Sequence, residues 1–408
     1  MIKLLFLMLP FLAAAESLQS ILEYAYQNNN NIKSSKYIKE SKLQEVESKK
    51  SGYLPTVDIG ASYTNTSDRT VFQIKDVYAG YAKAEFDIYD GGARSALVQK
   101  AKDEFSSSLH DEESLKQELS LEIVGDFYTI LTLQASLRAK EDAKKSLHEQ
   151  LERVKQFRGA GLATEDDVER LRASYERALY EIESLSYELL ERKSSLELKV
   201  GREIESFDDS HFKEVDISDI ETKDAIKSLI YKERALKNSA DAIESIYYPN
   251  IKAEDTYTVY EYGDIAEDHF AKIDRQNVFM LTLNMRIFDY SATKEQRDSL
   301  LLNAKALNEK IKYMSKEQKL RYGLSKERIK SAKVKIKSAK SSLVAASSAF
   351  KTINEKYSAG LVDYVIYLDA LSAKTDATSL YESSLNDLQV AYAAYYFYSG
   401  RNLEEFIQ

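Results

Sequence analysis

"FRGAGLATEDDVERLRASYERA", Phe157 to Ala178, and "YSAGLVDYVIYLDALSAKTDA", Tyr357 to Ala377, share one outline: small residues, a Gly-Leu pair, then a helical start of acidic and apolar residues. Outward from each pair, proline and glycine nearly vanish. Ala93 to Arg158 holds no proline and one glycine, Gly125, and Ser291 to Ala359 holds only Gly323. Apolar residues recur at Leu115, Leu119, Ile123, Phe127 and Leu131 before the first pair. After it they recur at Val168, Leu171, Tyr175, Leu179 and Ile182, the spacing of one helix face. The pattern predicts two very long helices, each about 100 Å at 1.5 Å per residue. Each Gly-Leu pair is the tip of an antiparallel helical hairpin, where glycine gives the backbone freedom to reverse.

The likeness extends beyond the tips. "NIKSSKYIKESKL" from Asn31 aligns with "AIKSLIYKERALK" from Ala225, and "YLPTVDIGASYT" from Tyr53 with "YYPNIKAEDTYT" from Tyr247, both a step of 194 residues. "FDIYDGG" from Phe86 aligns with "MRIFDYS" from Met285, a step of 199 that the tips share. Five extra residues between the second pair of strands account for the change. The chain is read as a duplicated unit of about 200 residues. Residues 1–15 are a leader, 16–204 the first repeat and 205–408 the second, with hairpins over about 93–201 and 291–400 and tips at 159–163 and 358–362.

Between the first helix of each repeat and its hairpin the period changes to two. Val57, Ile59, Ala61 and Tyr63 alternate with polar or small neighbours, as do Ala82, Ala84, Phe86 and Ile88. Ile251, Ala253, Tyr257 and Val259 do the same, and so do Phe279 through Ile287. Four strands are expected, at about 55–65, 79–90, 249–261 and 277–289, paired as two hairpins. Their length suits tilted strands crossing a bilayer, while a soluble four-stranded sheet packed on helices is the alternative reading. In lipid every backbone group must be paired, so an open sheet of four cannot cross alone. Single-chain barrels begin at about eight strands. Several copies would have to close one barrel, and the helical hairpins, too long to bury their apolar stripes in one compact domain, need neighbours as well.

"MIKLLFLMLPFLAAAES" has the order of a secretory leader: a lysine, an apolar run, and small residues up to Ala15, with cleavage before Glu16. The run is too short to span a membrane as a helix, and no later stretch is long enough. Across the 408 residues, 57 Lys and Arg face 66 acids for a net charge of −9, which gives no general attraction for nucleic acid. Cysteine is absent, removing disulfides, thiolate metal sites and cysteine nucleophiles together. His110, His148, His211 and His269 lack metal-ligand spacing. No nucleophile motif or phosphate loop stands out, and Asp166, Asp167 and Glu169 read as a helix start. No enzyme, cofactor or metal site is expected.

The leader, the strand-hairpin and helix-hairpin order repeated twice, "YLP" and "YYP" opening the strands, and "GLATEDDVERLRA" and "GLVDYVIYLDA" at the tips resemble the TolC family of outer-membrane efflux and secretion channel proteins. The likeness covers essentially the whole mature chain. It implies a mixed fold: long helical hairpins forming an α-barrel, joined to a four-strand contribution to a 12-stranded trimeric β-barrel. It implies a passive homotrimeric exit duct in the outer membrane of a Gram-negative bacterium, reaching through the periplasm to a periplasmic adaptor and an inner-membrane pump of an efflux or type I secretion system. A secreted helical-hairpin adaptor or structural protein without a pore is the alternative.

The resemblance also implies a gate at the tips. A tyrosine before the second tip matches Tyr357, and an aspartate after the first matches Asp167; in the family these two bond when the duct is shut. The family's arginine falls on Val362 and the first of its two ring aspartates on Ile366, while the second is matched by Asp369. The arginine part of the lock is therefore missing, and the constriction is expected to combine Asp369 with an apolar belt of Ile366. The alternative reading of Asp369 is a solvated acid near a helix start. Gly161 with Leu162, and Gly360 with Leu361, are candidate adaptor-docking tips or ordinary turns. Between Lys305 and Lys340, thirteen basic residues face three glutamates, a solvated face or an attraction for an anionic surface.

Overall fold

The computed structural model describes residues 16–67, 74–263 and 273–408. The expected leader, His269 and part of the segment assigned five extra residues lie outside the described residues. The elements in order are α1 (Leu18–Asn28), α2 (Asn30–Ser51), β1 (Thr56–Asn65), β2 (Asp76–Asp90), α3 (Ala93–Gly159), α4 (Glu165–Val200), α5 (Asp224–Glu244), β3 (Asn250–Gly263), β4 (Arg275–Asn284), α6 (Ala292–Ser358) and α7 (Tyr364–Ser399). The two long helices have 67 residues each, and the helices that follow the tips have 36 each. Both of the latter end on a left-handed glycine, Gly201 at φ 91° and Gly400 at φ 83°.

The chain forms two compact units. One comprises the residues up to Ser34, Glu112–Asp224 and Met314–Gln408; the other comprises Ser35–Asp111 and Ala225–Tyr313. In the first, α1 buries Leu18, Ile21, Leu22 and Ala25 against Ile123, Phe127 and Tyr128 of α3 and Leu196 and Val200 of α4. The chain end closes the same core, where Tyr396 and Phe406 stack with ring centres 3.9 Å apart. Burying these aromatic rings supplies much of its apolar contact.

Away from the tips, the long helices of this unit lie in the order α4, α3, α7, α6. Lys140 on α3 pairs with Glu181 on α4 at 2.8 Å. Thr132 on α3 accepts a hydrogen bond from Asn386 on α7 at 2.9 Å, and Tyr322 on α6 stacks on Tyr395 of α7 at 5.2 Å. The face of α6 that meets α7 carries Tyr322, Ser325, Ile329, Ala332, Ile336 and Ala339, all buried or partly buried. Their alternating steps of three and four are those of a coiled-coil seam.

The second unit holds one antiparallel sheet in the order β1-β2-β3-β4, with β1 and β4 at its edges. The middle pair joins the two repeats: Gly80 faces Val259 and Ala82 faces Tyr257. β4 stops at Asn284, short of the expected 289, although alternation continues through Met285 and Ile287. Its partner β3 begins at Asn250, and Pro249 before it has no N–H to extend the ladder. Asp289 instead caps α6, accepting from the Thr293 N–H at 3.1 Å, as Asp90 accepts from the Arg94 N–H at 2.8 Å before α3. α2 is tied to α3 in this unit by Lys42 and Glu104 at 2.9 Å, and α5 to α3 by Asn238 and Asp103 at 2.6 Å.

Candidate functional site

The two tips are built alike. At the first, the Leu162 N–H bonds to the Phe157 carbonyl at 2.8 Å and the Gly161 N–H to that of Arg158 at 3.0 Å. At the second, Leu361 bonds to Lys356 at 2.9 Å and Gly360 to Tyr357 at 3.0 Å. This double closure satisfies the last carbonyls of a helix and requires a left-handed residue. Gly161 and Gly360 supply it with φ of 73° and 74°. Each tip leaves a leucine in solvent: Leu162 is 76% and Leu361 73% exposed.

The helix starts after the turns differ. Thr164 and Asp167 form a reciprocal cap on α4: the Asp167 N–H donates to Thr164 Oγ1 at 3.2 Å, and the Thr164 N–H to Asp167 Oδ2 at 2.9 Å. The Thr164 hydroxyl donates to the same carboxylate at 2.7 Å. The Thr164 N–H, then its hydroxyl, hold Asp167 below the usual aspartate range. α7 has the simpler cap, Asp363 accepting from the Val365 N–H at 3.2 Å.

Tyr357 stacks on Tyr367 at 4.9 Å, and Tyr367 lies 5.8 Å from the Phe350 ring. Burial pushes the Tyr367 hydroxyl up to about 12. Burial also raises Tyr357, with Asp167 and Asp363 adding to the shift and Arg153 opposing it. Asp167 is thus near enough to be felt, yet among the described residues no hydrogen bond joins it to Tyr357; its carboxylate is engaged by Thr164. Ile366 is 46% exposed, Val362 is half-buried and Asp369 exposed. Asp369 lines a groove of about 280 Å³ together with Lys140, Arg177 and Glu181. Two cations therefore share the groove with Asp369, which weakens it as an isolated cation site.

Sequence reasoning missed Lys140, which reaches Glu181 on α4 and, at 3.7 Å, Asp376 on α7. No local pattern marks such a bridge. Among the described residues no cluster of His, Cys, Asp or Glu could hold a metal ion, and no helix is long and apolar enough to cross a membrane.

The sheet in the second unit is the other candidate surface. The register puts Val57, Ile59, Phe279, Leu281 and Leu283 on one face with Phe86 and Val259. Ile59 is 85%, Phe279 69% and Leu281 60% exposed. Tyr63 and Tyr78 stack at 4.9 Å on the same face; Asp255 interrupts it opposite Phe279, and Asp76 and Glu261 lie on it beside the Tyr63–Tyr78 stack. The opposite face carries Thr256, Thr258 and an ionic cluster in which Lys83 meets Glu85 at 3.0 Å and Lys252 meets the same carboxylate. A sheet with an exposed apolar face and a polar reverse is arranged for lipid on one side and water on the other.

Several solved outer-membrane proteins share this fold of duplicated helical hairpins carrying a four-stranded sheet. The family model described as outer membrane efflux protein matches residues 21–202. No curated protein sequence matches the chain. Among solved structures, the CmeC outer membrane channel of Campylobacter jejuni is 13% identical with a TM-score of 0.84, over 95% of this chain and 86% of that one. The outer membrane protein VceC of Vibrio cholerae is 13% identical with a TM-score of 0.81, over 95% and 96%. A membrane protein from Pseudomonas aeruginosa is 16% identical with a TM-score of 0.80, over 95% and 91%.

Proposed function

We propose that the chain is the outer-membrane exit duct of a tripartite efflux or type I secretion system, a passive channel made of three copies. The observation that carries this reading is the sheet: an exposed apolar face and two unpaired edge strands, β1 and β4. Lipid does not tolerate unpaired edges. Pairing β4 of each copy with β1 of the next closes a barrel, and three copies give twelve strands, the number the family resemblance implies. The helical hairpins extend into the periplasm toward an adaptor and an inner-membrane pump, with Gly161, Leu162, Gly360 and Leu361 as the docking ends.

In the same reading the duct narrows at Val362, Ile366 and Asp369. A closing link between Tyr357 and Asp167 requires the carboxylate to leave Thr164. The missing arginine and the Ile366 belt make closure chiefly apolar. The reading is tested by membrane fractionation and bilayer recording. The protein should need detergent for extraction, run as a trimer and conduct ions in planar bilayers. Release without detergent as a monomer would end it.

A further inference from the structure

The row α4, α3, α7, α6 leaves two helices with one side uncovered. Among the described residues no hydrogen bond, ion pair or ring contact joins α4 to α6 from Lys316 onward. The uncovered side of α4 carries Tyr180, Tyr187 and Leu198, exposed by 75%, 69% and 82%. Helical spacing sets Glu176, Glu183 and Glu191 beside them, all exposed. The side of α6 that faces away from its α7 seam carries Leu320, Leu324 and Val334, exposed by 63%, 59% and 69%. Lys316, Lys330 and Lys337 flank these. Among the described residues the three glutamates, Lys316 and Lys337 have no ion-pair partner in their own chain, and Lys330 meets only its neighbour Glu327.

One edge is apolar and acidic, the other apolar and basic. We infer that these edges are made for each other across copies: the Tyr187 face of α4 docks on the Val334 face of α6 in the next copy, and the ion pairs along the seam fix its register. The inference rests on the ring proposed above and names which helix faces close it. A head-to-tail contact of two different surfaces repeats around a ring until it closes.

The register follows from the tips. Leu368 of α7 packs with Leu151, Val154, Val168 and Leu171 of the α3–α4 hairpin, so both tips end at nearly one level. In a ring, level tips bring together residues equally far along the chain from Gly161 and Gly360. Tyr187 and Val334 are equally far, and so are Glu191 and Lys330; Glu183 and Lys337 differ by one residue, as do Leu198 and Leu324. Acid meets base and apolar meets apolar at each level. Flanking charges in helix seams decide partner and register more than total strength.

The chain has no cysteine, so disulfide trapping has no background. Full-length protein with Glu191→Cys and Lys330→Cys, oxidised in membranes, should give covalent dimers and trimers on denaturing gels. The pair Glu191→Cys and Lys316→Cys, about 20 Å out of register, should give none. Independently, Glu183→Lys with Glu191→Lys should lower the trimer fraction several-fold at low salt, and adding Lys330→Glu with Lys337→Glu should restore it. All four positions are exposed, so the fold is not at stake. A trimer that forms but does not crosslink at 191 and 330, or that ignores the charge swap, overturns the seam and leaves the ring standing. A parent protein that is monomeric in detergent overturns both.

Discussion

The Lys223 ammonium sits 3.5 Å from the centre of the Phe397 ring. Its backbone N–H meets Gln318 Oε1 of α6 at 3.4 Å, tying the segment before α5 to that helix. Burial pushes the amine down to about 8, with Glu118 opposing the shift and Arg321 adding to it. Below pH 8 the amine is charged in both folded and unfolded chains, and the cost of burying the charge is borne in full. Between pH 8 and about 10.5 the unfolded chain binds more proton, so unfolding free energy should rise with pH by up to about 1.4 kcal/mol per unit. Denaturant titrations in detergent should show that rise relative to Lys223→Met, whose curve lacks this contribution.

The turn before α6 tests backbone strain. In the first repeat the left-handed positions before α3 are Gly91 and Gly92; in the second they are Tyr290 at φ 56° and Ser291 at φ 68°. A non-glycine residue there costs roughly 1–2 kcal/mol. Ser291→Gly should therefore stabilise the chain by about 1 kcal/mol. Gly91→Ala should destabilise it by more than that, because its Cβ would lie 2.6 Å from the Ser245 carbonyl oxygen and 2.7 Å from Tyr248 Cβ. Chemical unfolding of both variants checks the pair of signs.

These two sites show what the sequence made legible and what it hid. The alignment of "FDIYDGG" with "MRIFDYS" matched Asp90 to Asp289, and both cap the next helix. The same alternation over-extended β4, because a period of two reveals faces but not where the partner strand ends, and Pro249 ends it. The long helices were legible from missing proline and glycine. Lys223 over Phe397 and the Lys140 bridge were not, since each joins residues far apart in sequence whose meeting depends on the packed helices.

At the first tip, Thr164→Ala should cost about 1 kcal/mol and speed amide exchange over the first turn of α4. It should also raise the Asp167 pKa, because the Thr164 hydroxyl is one of the groups holding it down. If Asp167 closes the duct by meeting Tyr357, a carboxylate held by the backbone N–H of residue 164 alone should leave more readily and favour the shut state, read as lower single-channel open probability. An increase in open probability would count against that link.

In the proposed gate, closure turns on Ile366. With a single ring carboxylate, Asp369, in a groove shared with Arg177 and the Lys140–Glu181 pair, divalent block of the parent channel should be weak, and Asp369→Ala should change it little. Ile366→Asp should strengthen the block about tenfold, equivalent to about 1.4 kcal/mol of added binding. Ile366→Ala should raise conductance by opening the apolar belt. Strong divalent block in the parent that disappears with Asp369→Ala would reverse the assignment.

The sheet carries the sharpest contrast. Ile59 and Leu281 lie on the exposed apolar face, whereas Thr256 lies on the opposite face among Lys83, Glu85 and Glu254. If the apolar face meets lipid, Ile59→Arg or Leu281→Arg should cost about 2–4 kcal/mol near the bilayer midplane and reduce assembled trimer in the outer membrane. Thr256→Arg should assemble normally, because the water-facing side solvates a guanidinium. If the sheet stood in water, the three variants would behave alike, since each puts a charge on a surface already open to solvent. Equal assembly of all three, measured by heat-modifiable mobility, would therefore take the lipid-facing role away from this face.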